Sequence, residues 1–109
     1  MDSEAEHRFY EAMLEQGLNP ISKFNVEGYE LDFGIIDGGI RLNLEVDGDQ
    51  HYEQLLGQHL RLRRQDITRD GVLTRAGWHV LRIPAWQCFS HPDSAAQAVG
   101  ELLASLSDA

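Results

Sequence analysis

The sequence predicts an α/β fold in which helices flank a mixed β-sheet. Two neighbouring segments, residues 29–36 and 41–47, alternate apolar and polar side chains with the period of half-buried strands. A helical pattern then separates the second segment from an apolar run at residues 78–83, which is the order of a β-α-β crossover. Because amphipathic helical patterns also stand near both ends of the 109-residue chain, we expect an α-β-β-β-α-β core with a mixed sheet and a C-terminal helix.

The first predicted element is a helix over residues 3–16. Ser3 and Glu6 have the spacing of a capping box, and Gly17 is placed to end the helix. The apolar stripe of this helix consists of Ala5, Phe9, Ala12 and Met13. After an Asn-Pro turn, residues 21–26 form a weakly patterned segment that we interpret as an edge strand.

The next two strands form a hairpin around Gly38 and Gly39. A two-residue Gly-Gly turn is favoured between antiparallel strands because both glycines tolerate positive φ. The resulting register pairs Leu31 with Val46, Phe33 with Leu44 and Ile35 with Leu42 on one face of the hairpin. The same register sets Asp32 opposite Glu45 on the other face, with Cβ atoms about 5 Å apart.

The acidic side chains on this outer face form the candidate site. Asp32 and Glu45 would repel by about 1 kcal/mol or more, so a hairpin built for stability alone should avoid them. Without a metal, at least one carboxylate pKa should be raised, whereas a divalent cation reverses the sign of the interaction. Asp47 and His51 follow Glu45, and we expect all four side chains to share one pocket. The alternative is an ordinary polar face that ends in an Asp-Gly turn.

The segment after His51 carries an imperfect helical stripe. Its apolar members are Leu55, Leu56, Leu60, Ile67, Leu73 and Ala76. Because Gly57 and Gly71 interrupt the stripe, we predict two helical pieces rather than one. Asp66 and Arg69 share one face of the second piece, from which Arg69 would brace the carboxylates; the alternative is a surface ion pair between these two residues.

The last strand is predicted at residues 78–83. Because a helix leads into it, this strand should lie parallel to the Glu45 strand through a right-handed crossover. We interpret Trp78 and Trp86 as packing residues, with stacking on a nucleobase as the alternative. A final helix begins at residues 93–97 and should cover the sheet with Ala95, Val99, Leu102 and Leu106.

The composition is that of one domain over residues 1–109. With 42% hydrophobic and 25% charged residues, the chain can bury about two thirds of its unfolded surface around one core. No apolar run approaches the roughly 20 residues of a membrane span, and the acidic N-terminus lacks a leader pattern, so we expect a cytoplasmic protein. Cys88 is the only cysteine, which excludes an intrachain disulfide and a cysteine-based zinc site and favours a small packing residue.

The net charge of −9 is unevenly distributed along the chain. Residues 1–53 carry 13 acidic and 3 basic groups, whereas the later half is close to neutral. Its bases are Arg61, Arg63, Arg64, Arg69, Arg75 and Arg82. Between residues 61 and 82 these arginines outnumber the acidic residues, which would suit contacts with phosphates. The alternative is a solvated helix face with internal ion pairs. Because the chain as a whole is acidic, metal, a partner or an attached domain should supply much of any grip on nucleic acid.

These motifs resemble those of the PD-(D/E)XK restriction-endonuclease-like superfamily over residues 3–86. The residues that carry the resemblance are Asp32, Glu45-Val46-Asp47-Gly48, His51, Asp66, Arg69, Leu73 and Gly77-Trp78-His79-Val80-Leu81-Arg82. The E-x-D-G-x-x-H signature is similar to that of bacterial domains related to very-short-patch-repair (Vsr-like) endonucleases. The chain departs from the superfamily at Asp47, which stands where a lysine is usual. His51 matches a histidine that serves the Vsr-like branch near this strand end, and Glu6 matches an acidic residue on the first helix of that branch.

The resemblance implies a metal-dependent endonuclease that hydrolyses DNA phosphodiester bonds. In this hypothesis Asp32 and Glu45 hold Mg²⁺ or Mn²⁺, while Asp47 holds a second metal or orients His51. His51 would act as general base because its ordinary pKa of about 6.5 lies near neutrality. Glu6 either joins the site or only satisfies the start of its helix. The arginines expected to contact nucleic acid are Arg63, Arg64, Arg69 and Arg82.

Two other functions remain open on the sequence. The E-x-D-G-x-x-H string, together with residues 77–80 and 83–86, also resembles the RAP domain, a restriction-endonuclease-like fold associated with RNA-binding proteins. The missing lysine favours this non-catalytic reading, and the acidic composition disfavours it. The third possibility is a structural appendage of a larger enzyme such as a helicase. The endonuclease hypothesis itself includes a role in DNA repair or as the nuclease appendage of a larger DNA-processing protein.

Overall fold

The protein is a mixed four-stranded sheet with helices on both faces and a separate two-stranded hairpin. The computed structural model describes residues 1, 3–48, 52–55, 59–62 and 64–108, and only the backbone within 52–66. The elements are α1 (Glu4–Glu15), β1 (Ile21–Val26), β2 (Tyr29–Asp37), β3 (Ile40–Asp47), β4 (Tyr52–Leu55), β5 (His59–Leu62), α2 (Arg64–Arg75), β6 (His79–Pro84), α3 (Ala85–Ser90) and α4 (Pro92–Ser107). The sheet order is β1-β2-β3-β6, in which β3 and β6 are parallel and the other neighbours antiparallel. The predicted fold class is therefore confirmed, including the parallel placement of the last strand.

Helix α1 begins and ends as its sequence predicts. The Ser3 hydroxyl accepts a hydrogen bond from the Glu6 backbone N–H at 3.1 Å, which satisfies one of the unpaired donors at the helix start. At the other end Gly17 has a φ of 82°, and the Leu18 N–H returns to the Met13 carbonyl, as in a Schellman-type ending. The predicted apolar stripe is buried in full.

The main core lies on the face of the sheet that α1, α3 and α4 cover. Phe9 of α1 meets Phe33 of β2 edge to face, with ring centroids 5.8 Å apart. Helix α4 contributes Ala95 and Val99 as predicted, with Leu103 rather than Leu106 in the buried cluster. Cys88 of α3 is fully buried in the same cluster, which agrees with its interpretation as a packing residue.

The prediction of a helix directly after residue 51 is wrong. The backbone forms the antiparallel pair β4 and β5, in which residues 52–55 pair with residues 59–62. Of the two predicted helical pieces, the described backbone forms the second, as α2. Leu60 and Leu62 alternate with polar residues, and in so short a segment this period of two competes with the helical spacing of the leucines. Gly57 further weakens a helix through its cost of about 1 kcal/mol relative to alanine.

The β2–β3 hairpin keeps the predicted register near its turn and loses it farther away. Phe33 faces Leu44 and Ile35 faces Leu42, as the Gly-Gly turn predicts. The ladder ends at the Phe33–Leu44 pair, and the expected pairing of Leu31 with Val46 is wrong. Leu31 packs in a second cluster on the α2 side, whereas Val46 belongs to the main core.

The second cluster joins β1 and β2 to α2 and Trp78. It consists of Leu31, Leu73 and Trp78, with Phe24, Val26 and Ala76 against it. The Phe24 ring lies over Gly34, where a Cβ would come within 2.8 Å of Cδ2. Trp78 is buried as predicted, whereas Trp86 is 63% exposed and its ring lies edge-on to His91, with ring centroids 6.3 Å apart.

No helix in the part of the chain described by the structure is long and apolar enough to cross a membrane.

Candidate functional site

Asp32 and Glu45 lie together where β2 and β3 separate. The Asp32 backbone N–H donates to Glu45 Oε2 at 3.0 Å, and the Val46 backbone N–H donates to Asp32 Oδ2 at 2.8 Å. Each carboxylate therefore takes a backbone donor of the opposite strand in place of a ladder bond. The two side chains meet as expected, although through these reciprocal bonds rather than as a directly opposed ladder pair.

The pair is desolvated, and this changes the acidity of Glu45. Glu45 is only 2% exposed. Burial, followed by the negative charge of Asp32, raises the pKa of Glu45 from 4.5 to about 7, against the opposing effects of the Asp32 N–H, Arg69 and Arg82. The expectation that at least one carboxylate pKa is raised in the metal-free protein is confirmed for Glu45. Its carboxyl group is therefore shared between the protonated and ionised forms near neutral pH.

Helix α2 brings Arg69 onto the carboxylate pair. Arg69 Nη2 donates to Glu45 Oε1, and the arginine side chain is 16% exposed. The two oxygens of Glu45 thus have different partners, the Asp32 backbone on one side and the Arg69 guanidinium on the other. The helix-face pattern located Arg69 correctly, and its contact is with Glu45.

A second arginine holds the remaining carboxylate of the strand. Arg82 of β6 donates through Nη1 to Asp47 Oδ1 at 2.9 Å and grips Asp70 of α2 with Nε and Nη2 at 3.1 and 2.8 Å. The Asp47 side chain is 1% exposed and that of Arg82 is 11% exposed. The structure thus places both Asp47 and Arg82 in an internal ion network that joins β3, β6 and α2.

The participation of Asp70 was missed by the sequence analysis. It follows Arg69 directly along the chain, so the helical pattern places it about 100° around α2 from the face assigned to the site. Its partner Arg82 is 12 residues away and on a different element. Only the docking of α2 against β6 brings the two together, and local spacing carries no signal of it.

The three predicted metal ligands do not come together as one group. Among the residues that the structure describes, no three His, Cys, Asp or Glu side chains cluster closely enough to hold a metal ion. Asp32 and Glu45 are paired, while Asp47 lies against Arg82. The geometry therefore reduces the candidate ligand set to the Asp32–Glu45 pair.

The charges and donor atoms of this region fit a divalent metal at that pair. The ionised groups that meet here are Asp32, Glu45, Asp47, Asp70, Arg69 and Arg82. With all of them ionised, the region carries a surplus of two negative charges. Carboxylate oxygens are the donors that Mg²⁺ prefers, and a bound cation would oppose the effects of burial and of Asp32 that raise the pKa of Glu45.

Glu6 of α1 lies within electrostatic reach of the same region. Burial raises the pKa of the Cys88 thiol to about 12, with further contributions from the charges of Glu6 and then Asp32. The charges of Glu6 and Asp32 therefore act on the same buried thiol. The Ser3 hydroxyl also lies 3.4 Å from Glu6 Oε2, so the helix-start role and the site role of Glu6 are compatible. The Cys88 thiol stays protonated at neutral pH and is unreactive.

Three predicted site residues cannot be placed. His51 and Arg63 lie outside the described residues, and Arg64 is described only as the backbone at the start of α2. The expected pocket shared by Asp32, Glu45, Asp47 and His51 is thus observed only as the Asp32–Glu45 pair with Asp47 beside Arg82.

Comparison with known proteins assigns this arrangement to a class. The catalytic domain of the homing endonuclease I-Bth0305I has the same fold, with a TM-score of 0.68 at 19% sequence identity over 93% of this chain and 94% of that domain. The fold is therefore restriction-endonuclease-like. A model of the restriction endonuclease-like family REase_MTES_1575 matches residues 6–103.

The chain belongs to this restriction endonuclease-like family, because the match covers most of its length. No curated protein matches the sequence significantly. Family membership supports a nuclease-like function in general terms.

Proposed function

We propose that the protein is a metal-dependent endonuclease domain that hydrolyses DNA phosphodiester bonds. The observation that carries this proposal is the desolvated Asp32–Glu45 pair at the separated ends of β2 and β3. A purely structural hairpin would gain nothing from burying two carboxylates beside each other, since their mutual repulsion and desolvation both oppose folding. The pair is explained if a cation completes it when the protein acts.

The proposed roles rest on the Asp32–Glu45 pair and on the E-x-D-G-x-x-H motif. Asp32 and Glu45 would hold Mg²⁺ or Mn²⁺, and the bound ion would lower the pKa of a water molecule and offset charge on the scissile phosphate. His51 would take the proton of that water, with Asp47 orienting it from the strand end. Glu6 would add a carboxylate from α1. Arginines of the later half would contact the DNA backbone.

The wider context is also part of the proposal. Within the family, the E-x-D-G-x-x-H signature favours a Vsr-like branch and a role in DNA repair. The net charge of −9 disfavours tight binding to DNA by this chain alone. Attachment to or partnership with a helicase-type protein would supply the missing affinity, and a cytoplasmic location stays a prediction.

Cleavage of labelled nucleic acids tests this function. A panel of single- and double-stranded DNA and RNA is incubated with Mg²⁺, with Mn²⁺ and with EDTA. We expect metal-dependent cleavage of DNA that Asp32→Asn and Glu45→Gln each lower by about 100-fold or more, because loss of a direct ligand should exceed the 10- to 100-fold effects of outer partners. Asp37→Asn, at the exposed end of β2, is the matched control and should cleave normally.

A non-catalytic nucleic-acid-binding module is the second candidate. The observation that favours it is the ion network of Asp47, which leaves a carboxylate held by Arg82 at the position of the usual lysine. This function predicts binding of RNA in the same panel without cleavage of any member. Binding unaltered by metal and by Asp32→Asn would decide for this module and against the nuclease.

A further inference from the structure

The Asp32–Glu45 pair already has a positively charged neighbour in the protein, the side chain of Arg69. The Arg69 guanidinium contacts Glu45 Oε1, while Glu45 Oε2 is taken by the Asp32 N–H. Glu45 is almost completely buried and Arg69 is largely buried, so this contact is made away from bulk water. Arg69 thus supplies positive charge at the place where a metal bound by Asp32 and Glu45 would also need to lie.

A divalent metal ion and the Arg69 guanidinium cannot both lie against Glu45 at the same time. A divalent ion within bonding distance of Glu45 would lie a few ångströms from the guanidinium, and like charges repel strongly where little water screens them. The acceptor oxygens are limited as well, because Asp32 Oδ2 and Glu45 Oε2 already accept backbone N–H groups of the separated strands. The oxygen held by Arg69 is the one whose partner is a side chain of α2 rather than the backbone of the sheet.

We propose that Arg69 is an exchangeable cation, which holds Glu45 in the metal-free protein and leaves Oε1 for a substrate phosphate when a divalent metal binds. This inference rests on the proposed metal-dependent nuclease function. Arg69 would then have two successive anionic partners, first the Glu45 carboxylate and then a phosphate. Both anions can accept the parallel N–H bonds of a planar guanidinium.

Arg82 provides the contrast that identifies Arg69 as the group that exchanges. Three hydrogen bonds fix Arg82 between Asp47 and Asp70, whereas Arg69 contacts Glu45 itself. A metal at the Asp32–Glu45 pair therefore competes directly with Arg69 and leaves the ligands of Arg82 untouched. Arg82 should remain in place in both states and keep α2 docked on β6.

Metal titration of Arg69→Gln tests the exchange. Isothermal titration with Mg²⁺ and with Ca²⁺ is run at about pH 9, above the raised pKa of Glu45, so that protons do not mask the competition. We expect Arg69→Gln to bind metal about tenfold more tightly than the wild type, since the metal no longer displaces a guanidinium. Arg75→Gln removes the same charge from an exposed position on α2 and should bind like the wild type.

The variant Arg69→Lys serves if Arg69→Gln loses its fold, which circular dichroism would reveal. An ammonium is more strongly hydrated than a guanidinium and holds a buried carboxylate less well, so metal affinity should rise by about threefold. Equal or weaker binding in both variants would overturn the exchange while leaving the metal site intact. Absence of metal binding in the wild type and in both variants would overturn the exchange and the proposed function together.

Binding of DNA without cleavage tests the second partner of Arg69. Anisotropy of a labelled duplex is measured with Ca²⁺ and with EDTA. In Ca²⁺, Arg69→Gln should lose about five- to tenfold in affinity, the effect of one phosphate contact, whereas in EDTA it should lose no more than Arg75→Gln because Arg69 is then committed to Glu45. A loss of equal size in both conditions, as expected for Arg75→Gln if it acts only through net charge, would contradict the proposal.

Discussion

Glu45 links the protonation of the protein to its stability. Its pKa is about 7 in the folded protein and near 4.5 when unfolded, so between these values the folded state holds a proton that the unfolded chain has lost. This contribution is complete below the unfolded pKa and is lost as pH rises through the folded pKa. Above neutral pH the metal-free protein therefore carries the cost of an ionised, buried carboxylate beside Asp32.

Glu45→Gln should consequently have opposite effects with and without metal. In EDTA at about pH 8 the substitution should raise the free energy of unfolding by about 1–3 kcal/mol, because it removes the buried charge while keeping the shape. It should also flatten the fall in stability of the wild type between pH 4.5 and about 7. With Mg²⁺ it should reduce the stabilisation that the ion gives to the wild type, since a ligand is lost.

Urea unfolding at several pH values, with EDTA and with Mg²⁺, measures both effects. Asp37→Asn, which removes an exposed charge at the hairpin, is the control and should shift both conditions equally. Equal shifts in the Glu45→Gln protein would mean that Glu45 does not bind the metal, and the nuclease proposal would lose its chemical basis.

Asn43 is a second buried polar residue on the same strand face. It is fully buried, it lies between Gly34 and Val80 on the neighbouring strands, and its side-chain amide has no hydrogen-bond partner among the described residues. A buried amide without partners opposes folding, so Asn43→Leu should stabilise the protein by about 1–2 kcal/mol. Chemical unfolding in urea measures this. Asn25→Leu, at an exposed position on β1, should change little, and destabilisation by Asn43→Leu would show that the amide is satisfied by water.

At the scale of whole elements, packing on β1 and β2 lies next to the site. Phe24 packs on Gly34 and on the Trp78 ring, whose centroid lies 5.8 Å away. Leu31 joins the same cluster, and Asp32 follows it directly on β2. The backbone N–H groups of Asp32 and Val46 here donate to the two carboxylates.

Gly34→Ala should destabilise the protein by about 1–3 kcal/mol, because the new Cβ would come within 2.8 Å of the Phe24 ring and push the hairpin away. Gly39→Ala is a matched control within the same sheet, since nothing lies within 4 Å of its added Cβ and its φ is not positive. Thermal melts compare the two variants. Partial rescue of Gly34→Ala by Phe24→Leu would confirm the contact, and equal melting temperatures for the two glycine variants would contradict it.

Elements with a strong local signal were predictable from the sequence. The capped helix α1, the Gly38–Gly39 hairpin and the crossover to β6 each combine a clear hydrophobic period with defined end residues. The β4–β5 pair was not predictable, because its strands are four residues long and the same leucines also fit a helix. Of the site, the hairpin register predicted that Asp32 and Glu45 lie close together but not their bonds to the backbone of the opposite strand. The Asp47–Arg82–Asp70 network depends on the docking of α2 and β6 and has no local pattern.

At the scale of the whole molecule, the charge distribution sets how the protein can meet DNA. The acidic groups are concentrated in the first half of the chain. Of the arginines in the later half, Arg69 contacts Glu45 and Arg82 contacts Asp47. Long-range repulsion from the net charge of −9 opposes approach to DNA, and salt screens it. Salt also weakens contacts with phosphates. Salt therefore weakens both the long-range repulsion and the phosphate contacts, and its two effects on DNA affinity partly cancel. A metal at the site strengthens the phosphate contacts.

DNA binding should therefore depend weakly on salt and strongly on divalent metal. In Ca²⁺ we expect the logarithm of the binding constant to fall with the logarithm of salt concentration with a slope no steeper than about −4, because each phosphate contact contributes about −0.9. In EDTA the affinity at low salt should be lower, since Arg69 is then held by Glu45 and no metal offsets the negative surplus of the site. Anisotropy of a labelled duplex across a salt series measures both quantities. A steep slope, near −8 or beyond, that is the same in Ca²⁺ and in EDTA would indicate an extended basic surface elsewhere. The metal site would then not be what draws this acidic domain to DNA.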